Sequence, residues 1–229
     1  MIGEGLIEGL RLLASPDPEV WGPIRVSVTV SLTSTVLATT LALPAALVLS
    51  LARFPGRRVA DGLLGALMAL PTVLVGLVVF AFIRRAGPLG TMELLYTPAA
   101  MVLGQAILAW PVITGLTAAA LDQADPRVRV TLLGLGAGFW RTALGVAASC
   151  RGALVAAVVS GFGRVFAEVG ISMMLGGNIR GSTRNITTGI AFETGRGEFA
   201  RGVALGVVLL AMALAVNLLL TTLRGGRRS

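Results

Sequence analysis

Apolar residues gather in this chain into five long runs, roughly Ile24 to Leu51, Gly62 to Ile83, Pro98 to Leu121, Thr142 to Phe166 and Gly202 to Leu223. A helix rises ~1.5 Å per residue and the hydrocarbon core of a bilayer is ~30 Å thick, so each run is long enough to cross it. The strict alternation that marks a membrane barrel strand is missing, and the runs therefore predict helices. In the first run no charge falls between Arg25 and Arg53, and Ser27, Ser31 and Ser34 recur at helical spacing. They form a small hydroxyl face that suits close helix packing better than a substrate path. Pro44, Pro71 and Pro111 lie inside the first three runs, where each is expected to bend its helix or free a carbonyl. The fourth run carries Arg151 and Arg164 near its ends around a small-residue centre, AALVAAVVSGFG, expected to pack against protein. The following stretch, 171–199, is rich in glycine and threonine and too polar to span.

Two breaks between the runs have a pattern of their own. The opening segment, 1–22, places Ile2, Leu6, Leu10 and Leu13 at near-helical spacing with Glu4, Glu8 and Arg11 between them. This predicts an interfacial helix ending in the turn SPDPE, and its early acids argue against a cleavable signal. In the other break, 120–141, Asp125 can cap a helix that starts at Pro126, a position needing no backbone donor. Gly134, Gly136 and Gly138 then oppose its continuation, and Gly136 allows a sharp turn. Such a helix is too short to span and is suited to lie at the surface and touch a partner, or to serve as a plain linker.

With 55% hydrophobic and 13% charged residues over 229 positions, and a mean hydropathy of +0.86, the chain reads as an all-α integral membrane protein. The net charge of +8 comes from arginines, which sit mainly beside the apolar runs. Membrane topology explains them better than nucleic acid does. One cysteine, Cys150, and no histidine leave the usual metal and catalytic clusters without members, and no phosphate-binding GxxxxGK[ST] occurs. No cofactor and no enzymatic activity are expected. Five spans put the two chain ends on opposite faces. The near-even division of arginines leaves orientation to weaker cues, which place the N-terminus outside and 120–141 in the cytoplasm.

Taken in order, DPEVW, RFPGRR, LPTVLVGL, GPLG with LLYTP, GFGRVFAEVG, GGNIRGSTRNITT and GEF resemble the permease subunits of type I ABC importers. The match is to the oxyanion group that handles molybdate, sulfate and tungstate, and is nearest the tungstate branch. Permeases of that family carry a cytoplasmic coupling helix marked by an acidic residue, two alanines and a Leu-Gly-Ala step. Here Leu135, Gly136 and Ala137 supply the step, while Val130, Thr131 and Leu132 stand in place of the acid and alanines. The resemblance implies a single transmembrane domain over 1–229, with five transmembrane helices, an N-terminal interfacial helix and a coupling loop at 120–141. It implies ATPase contacts through Arg129, Val130, Leu133, Leu135, Gly136 and Ala137. Candidates for the translocation path or gate are Pro71, Thr72, Arg164, Glu168 and Asn178; Arg164 and Glu168 stand four apart, the spacing of an ion pair on one helix face. The implied partners are a second copy in a homodimer, a pair of ABC ATPase subunits, an extracytoplasmic oxyanion-binding protein and the lipid bilayer, with no nucleic acid. The expected setting is a prokaryotic cell membrane, crossed several times. A molybdate or sulfate permease of the same family, or an ATP-independent secondary transporter, is the competing reading, although no inverted repeat is evident between the chain halves.

Overall fold

The computed structural model describes residues 17–52 and 54–225, with positions 7, 10, 11, 14 and 15 before them. Every regular element among these is helical. The first, α1 (Pro18–Leu51), starts earlier than the apolar run because Asp17 accepts from the Glu19 N–H at 2.9 Å and proline fills the first turn. Of the expected interfacial segment, Ile7, Leu10, Arg11 and Ala14 are helical, 17–22 belong to the start of α1, and the remainder lies outside the described residues. Next come α2 (Arg57–Ala69), α3 (Thr72–Ile83) and α4 (Pro98–Asp122). The last of these repeats the device of α1, with Thr97 as cap before a proline.

The chain then forms α5 (Pro126–Gly134), α6 (Phe139–Ser149), α7 (Arg151–Phe166), α8 (Gly170–Gly176), α9 (Ile186–Gly195) and α10 (Phe199–Gly225). Helices α1, α4 and α10 are long and apolar enough to cross a membrane. The pairs α2/α3 and α6/α7 bend by 96° and 80°, and counting each pair as one span brings the number to five.

The prolines divide in their effect. At Pro71 the helix breaks, with Leu70 extended as a pre-proline residue prefers. Helices α1 and α4, in contrast, run on as single helices through Pro44 and Pro111. They pack against each other. Ser34 meets Gln105 and Ser50 meets Asp122 at sequence separations of 71 and 72, so the two helices lie parallel and in register along their length. The fourth run, expected as one span from Thr142 to Phe166, breaks at Cys150 without a proline, two residues before Gly152. Thr142, Ala143 and Val146 turn one face of α6 inward, while the Cys150 sulfhydryl donates back to the Val146 carbonyl at 3.4 Å. Val146 and Cys150 pack with Leu47 and Leu121 in one apolar cluster, and Ile113, Val165, Ile171 and Leu175 belong to a second.

Candidate functional site

The predicted surface helix is α5. Asp125 caps it by accepting from the Arg127 N–H at 2.9 Å. At its end Gly136 has φ +76°, the Ala137 N–H reaches the Leu132 carbonyl and the Gly136 N–H reaches the Leu133 carbonyl, each at 3.0 Å. These two bonds are a Schellman stop, and they turn the chain from α5 into α6. Val130, 68% exposed, Leu133 and Leu135, 78% exposed, present apolar side chains to the outside, while Ala137 is half-buried. Arg129 goes the other way. Its guanidinium donates to the Leu51 carbonyl at 2.8 Å, at the C-terminus of α1. Arg57 donates to the neighbouring Ser50 carbonyl at 3.1 Å and pairs with Asp122 at 3.2 Å, and Asp122 in turn accepts from the Ser50 hydroxyl at 2.5 Å. The ends of α1 and α4, the start of α2 and the body of α5 therefore meet in one charged node.

Away from that node, two helix breaks come together. Pro71 and Thr72 open α3, Glu168 lies between α7 and α8, and Gly170 opens α8; a Cβ on Gly170 would stand 3.4 Å from the Thr72 hydroxyl oxygen and 3.2 Å from a Glu168 carboxylate oxygen. Arg164 and Glu168 approach to 3.8 Å, but not along one helix face as their spacing suggests, because α7 ends at Phe166. Glu168 is 4% exposed, and its Oε1 accepts from the Ile171 N–H at 3.2 Å, so this carboxylate caps α8 while facing a half-exposed arginine. Asn178 lies further along, in the loop after α8. Its φ of +52° follows +68° at Gly177, and its Oδ1 is buried with no hydrogen-bond partner among the described residues.

A polar web behind Glu168 was not legible in the pattern. The Thr187 hydroxyl donates to the Glu168 carbonyl at 2.9 Å, the Asn185 amide to the Ser172 hydroxyl at 2.9 Å, and the Gln105 amide to the same hydroxyl at 3.2 Å. Ser27 accepts from the Ile186 N–H at 2.8 Å. The serine face of α1 is thus a packing face, as expected, and it fastens α1 to α4 and α9. Buried hydroxyls and amides are held in partnership here because each would be costly left alone.

No protein-family profile matches the chain. Over 223 residues it is 38% identical to the tungstate uptake system permease protein of Peptoclostridium acidaminophilum, which covers 97% of this chain and 98% of that one. It is 39% identical over 199 residues to a probable anion ABC transporter permease protein of Haloferax volcanii, covering 85% of this chain and 86% of that one. The chain belongs to the ABC-transporter permease family. The permease also shares its fold with a chain of a bacterial alginate ABC transporter, solved in complex with an alginate-bound periplasmic protein. The TM-score is 0.65 at 16% identity, over 93% of this chain and 80% of that one. It is accordingly a multi-pass, all-α membrane subunit with the type I permease fold, a transport component and not itself an enzyme.

Proposed function

We propose that the permease is the membrane-spanning part of an ATP-driven tungstate importer in a prokaryotic cell membrane. It works as a twofold homodimer, receives the anion outside from a binding protein, and is driven inside by a pair of ATPase subunits seated against α5. The observation that carries this reading is α5 itself. Its exposed Val130, Leu133 and Leu135 form an apolar surface on a short helix that cannot span, while Arg129 ties the same helix back to α1. An apolar patch of that kind on a polar loop is suited to cover by another protein. Five helices enclose a pore poorly, whereas two copies about a twofold axis can line a shared path. Closure of the ATPases would draw the two α5 helices together and tilt the spans, opening the path to alternate faces.

Within the path, Pro71, Thr72, Arg164, Glu168 and Asn178 are the residues assigned to guiding or gating the anion. Arg164 offers charge-assisted donors to an oxyanion, and the Glu168 carboxylate beside it keeps the attraction weak enough for release. Substrate choice rests mainly with the binding protein. The test is uptake by proteoliposomes holding the permease, its ATPase and its binding protein, supplied in turn with tungstate, molybdate and sulfate. ATP-dependent uptake of tungstate ahead of the other two supports the proposal. Uptake driven by an ion gradient without ATP overturns it, and preference for molybdate or sulfate reassigns the substrate.

A further inference from the structure

The end of the bundle where α1 begins holds a charged cluster that takes no part in either the α5 node or the Glu168 junction. Glu19, in the first turn of α1, pairs with Arg180 and stands 3.8 Å from Arg184. Arg184 reaches a second carboxylate, Glu193 of α9, at 3.4 Å, and its guanidinium carbon lies 4.0 Å from the centre of the Phe192 ring. Arg196 faces that ring at 5.3 Å. Two guanidinium groups, Arg180 and Arg184, thus meet two carboxylates, with Arg196 across the Phe192 ring. Arg184 is only 8% exposed, yet its Nε has no hydrogen-bond partner among the described residues. Beside it opens a cavity of about 190 Å³ lined by Pro18, Glu19, Pro23, Arg180, Gly181 and Arg184.

We infer that this cavity is an anion site, taking a small tetrahedral oxyanion between Arg180 and Arg184, with the carboxylate of Glu19 as its tethered competitor. The inference rests on the permease reading only for the class of anion; the site itself follows from the geometry. Guanidinium groups present forked N–H donors that fit the oxygens of an oxyanion. Glu193 and Phe192 fix the Arg184 guanidinium from the far side. The carboxylate of Glu19 already lies between the two arginines, paired with Arg180 and 3.8 Å from Arg184, and so marks where a ligand's negative charge would lie. Turning Glu19 out frees two guanidinium groups, and the same exchange unties the start of α1 from the segment before α9. The site thereby couples arrival of an anion to release of an ion-paired latch.

The test is isothermal titration of the permease with its ATPase subunits in phosphatidylcholine nanodiscs, without ATP or binding protein, using tungstate, molybdate, sulfate and chloride. Saturable binding of the tetrahedral anions, but not of chloride, is expected, at one per permease chain and weakening with added salt. Glu19→Gln removes the competitor and should tighten binding about tenfold, whereas Arg180→Gln should weaken it about tenfold. Arg180 has a side chain 74% exposed, so its replacement leaves the fold intact. Affinities unchanged by both substitutions overturn the site. A lipid phosphate has the same chemistry, so the titration is repeated in discs containing phosphatidylglycerol; loss of binding there assigns the cavity to lipid headgroups and overturns the free-anion assignment. Binding that depends on Glu19 and Arg180 in a complex showing no ATP-driven uptake upholds the site while removing the transport reading. ATP-driven uptake with binding indifferent to both variants does the reverse.

Discussion

Replacing Gly136 isolates the geometry of the turn that ends α5. A Cβ at this position would meet nothing within 4 Å, so the cost of a larger residue is not a clash. It is the backbone angle, φ +76°, which an L-residue adopts at a cost of about 1–2 kcal/mol. A penalty of that size lowers the population of the turn by a factor of roughly 5–30. The turn matters because it aims α5 at α6: the Leu132 side chain packs against Gly145, with Cδ1 2.5 Å from where a Cβ there would sit. Gly136→Val should therefore reduce tungstate uptake by roughly 5–30-fold, with ATPase activity no longer stimulated by the anion and with normal membrane abundance. Gly136→Asn should lie near the parent, since asparagine tolerates the left-handed region, and Gly136→Ala should fall between. Uptake and stimulated ATPase activity in reconstituted vesicles, normalised to permease content, decide the matter. Parent-like activity in Gly136→Val refutes the reasoning. So does equal damage in Gly136→Asn, because side-chain bulk rather than φ would then be responsible.

At the junction of helix breaks, Glu168→Gln should leave Arg164 unopposed and slow anion release, and the double variant with Arg164→Gln should recover much of the uptake. Lowered abundance with unchanged transport per molecule would make the pair a packing contact. Gly161 lies against Ile113, where a Cβ would stand 2.4 Å from Cγ1, so Gly161→Ala should cost about 1–3 kcal/mol and lower the melting temperature of the purified permease. Gly65→Ala, with nothing within 4 Å, is the control and should not. Arg129→Gln should reduce uptake more than it reduces ATP hydrolysis; equal losses in both would show that its bond to Leu51 serves only folding. Alkaline phosphatase fused after Glu93 should be active and after Gln123 inactive, and the reverse pattern would put α5 out of reach of any ATPase.

The helices themselves were legible because uninterrupted apolar length is a local property, and so were the Asp125–Pro126 start and the Gly136 turn, which use residues with strong backbone preferences. Proximity of Arg164 to Glu168 followed from spacing alone, although the carboxylate lies past the end of α7. Other features depend on residues distant in sequence. Gln105 meets Ser172 across 67 positions and Ser27 meets Ile186 across 159, and neither partner announces the other. The bend at Cys150 lies between Gly145 and Gly152 but has no proline to signal it, and α1 continues through Pro44 although nothing in its own sequence says that it should. Arg129 illustrates the same limit: a motif position marks a residue as belonging to the coupling loop, but only the fold shows that its side chain turns inward to α1.

Helix α1 is 34 residues long, roughly 50 Å from end to end. It is held at the Leu51 end by Arg129, near its middle by Gln105, and at the Pro18 end by Arg180 and Arg184 through Glu19. On the proposed coupling role of α5, a push at the Leu51 end would be carried by this stiff rod along its whole length to the Glu19 ion pairs at its other end.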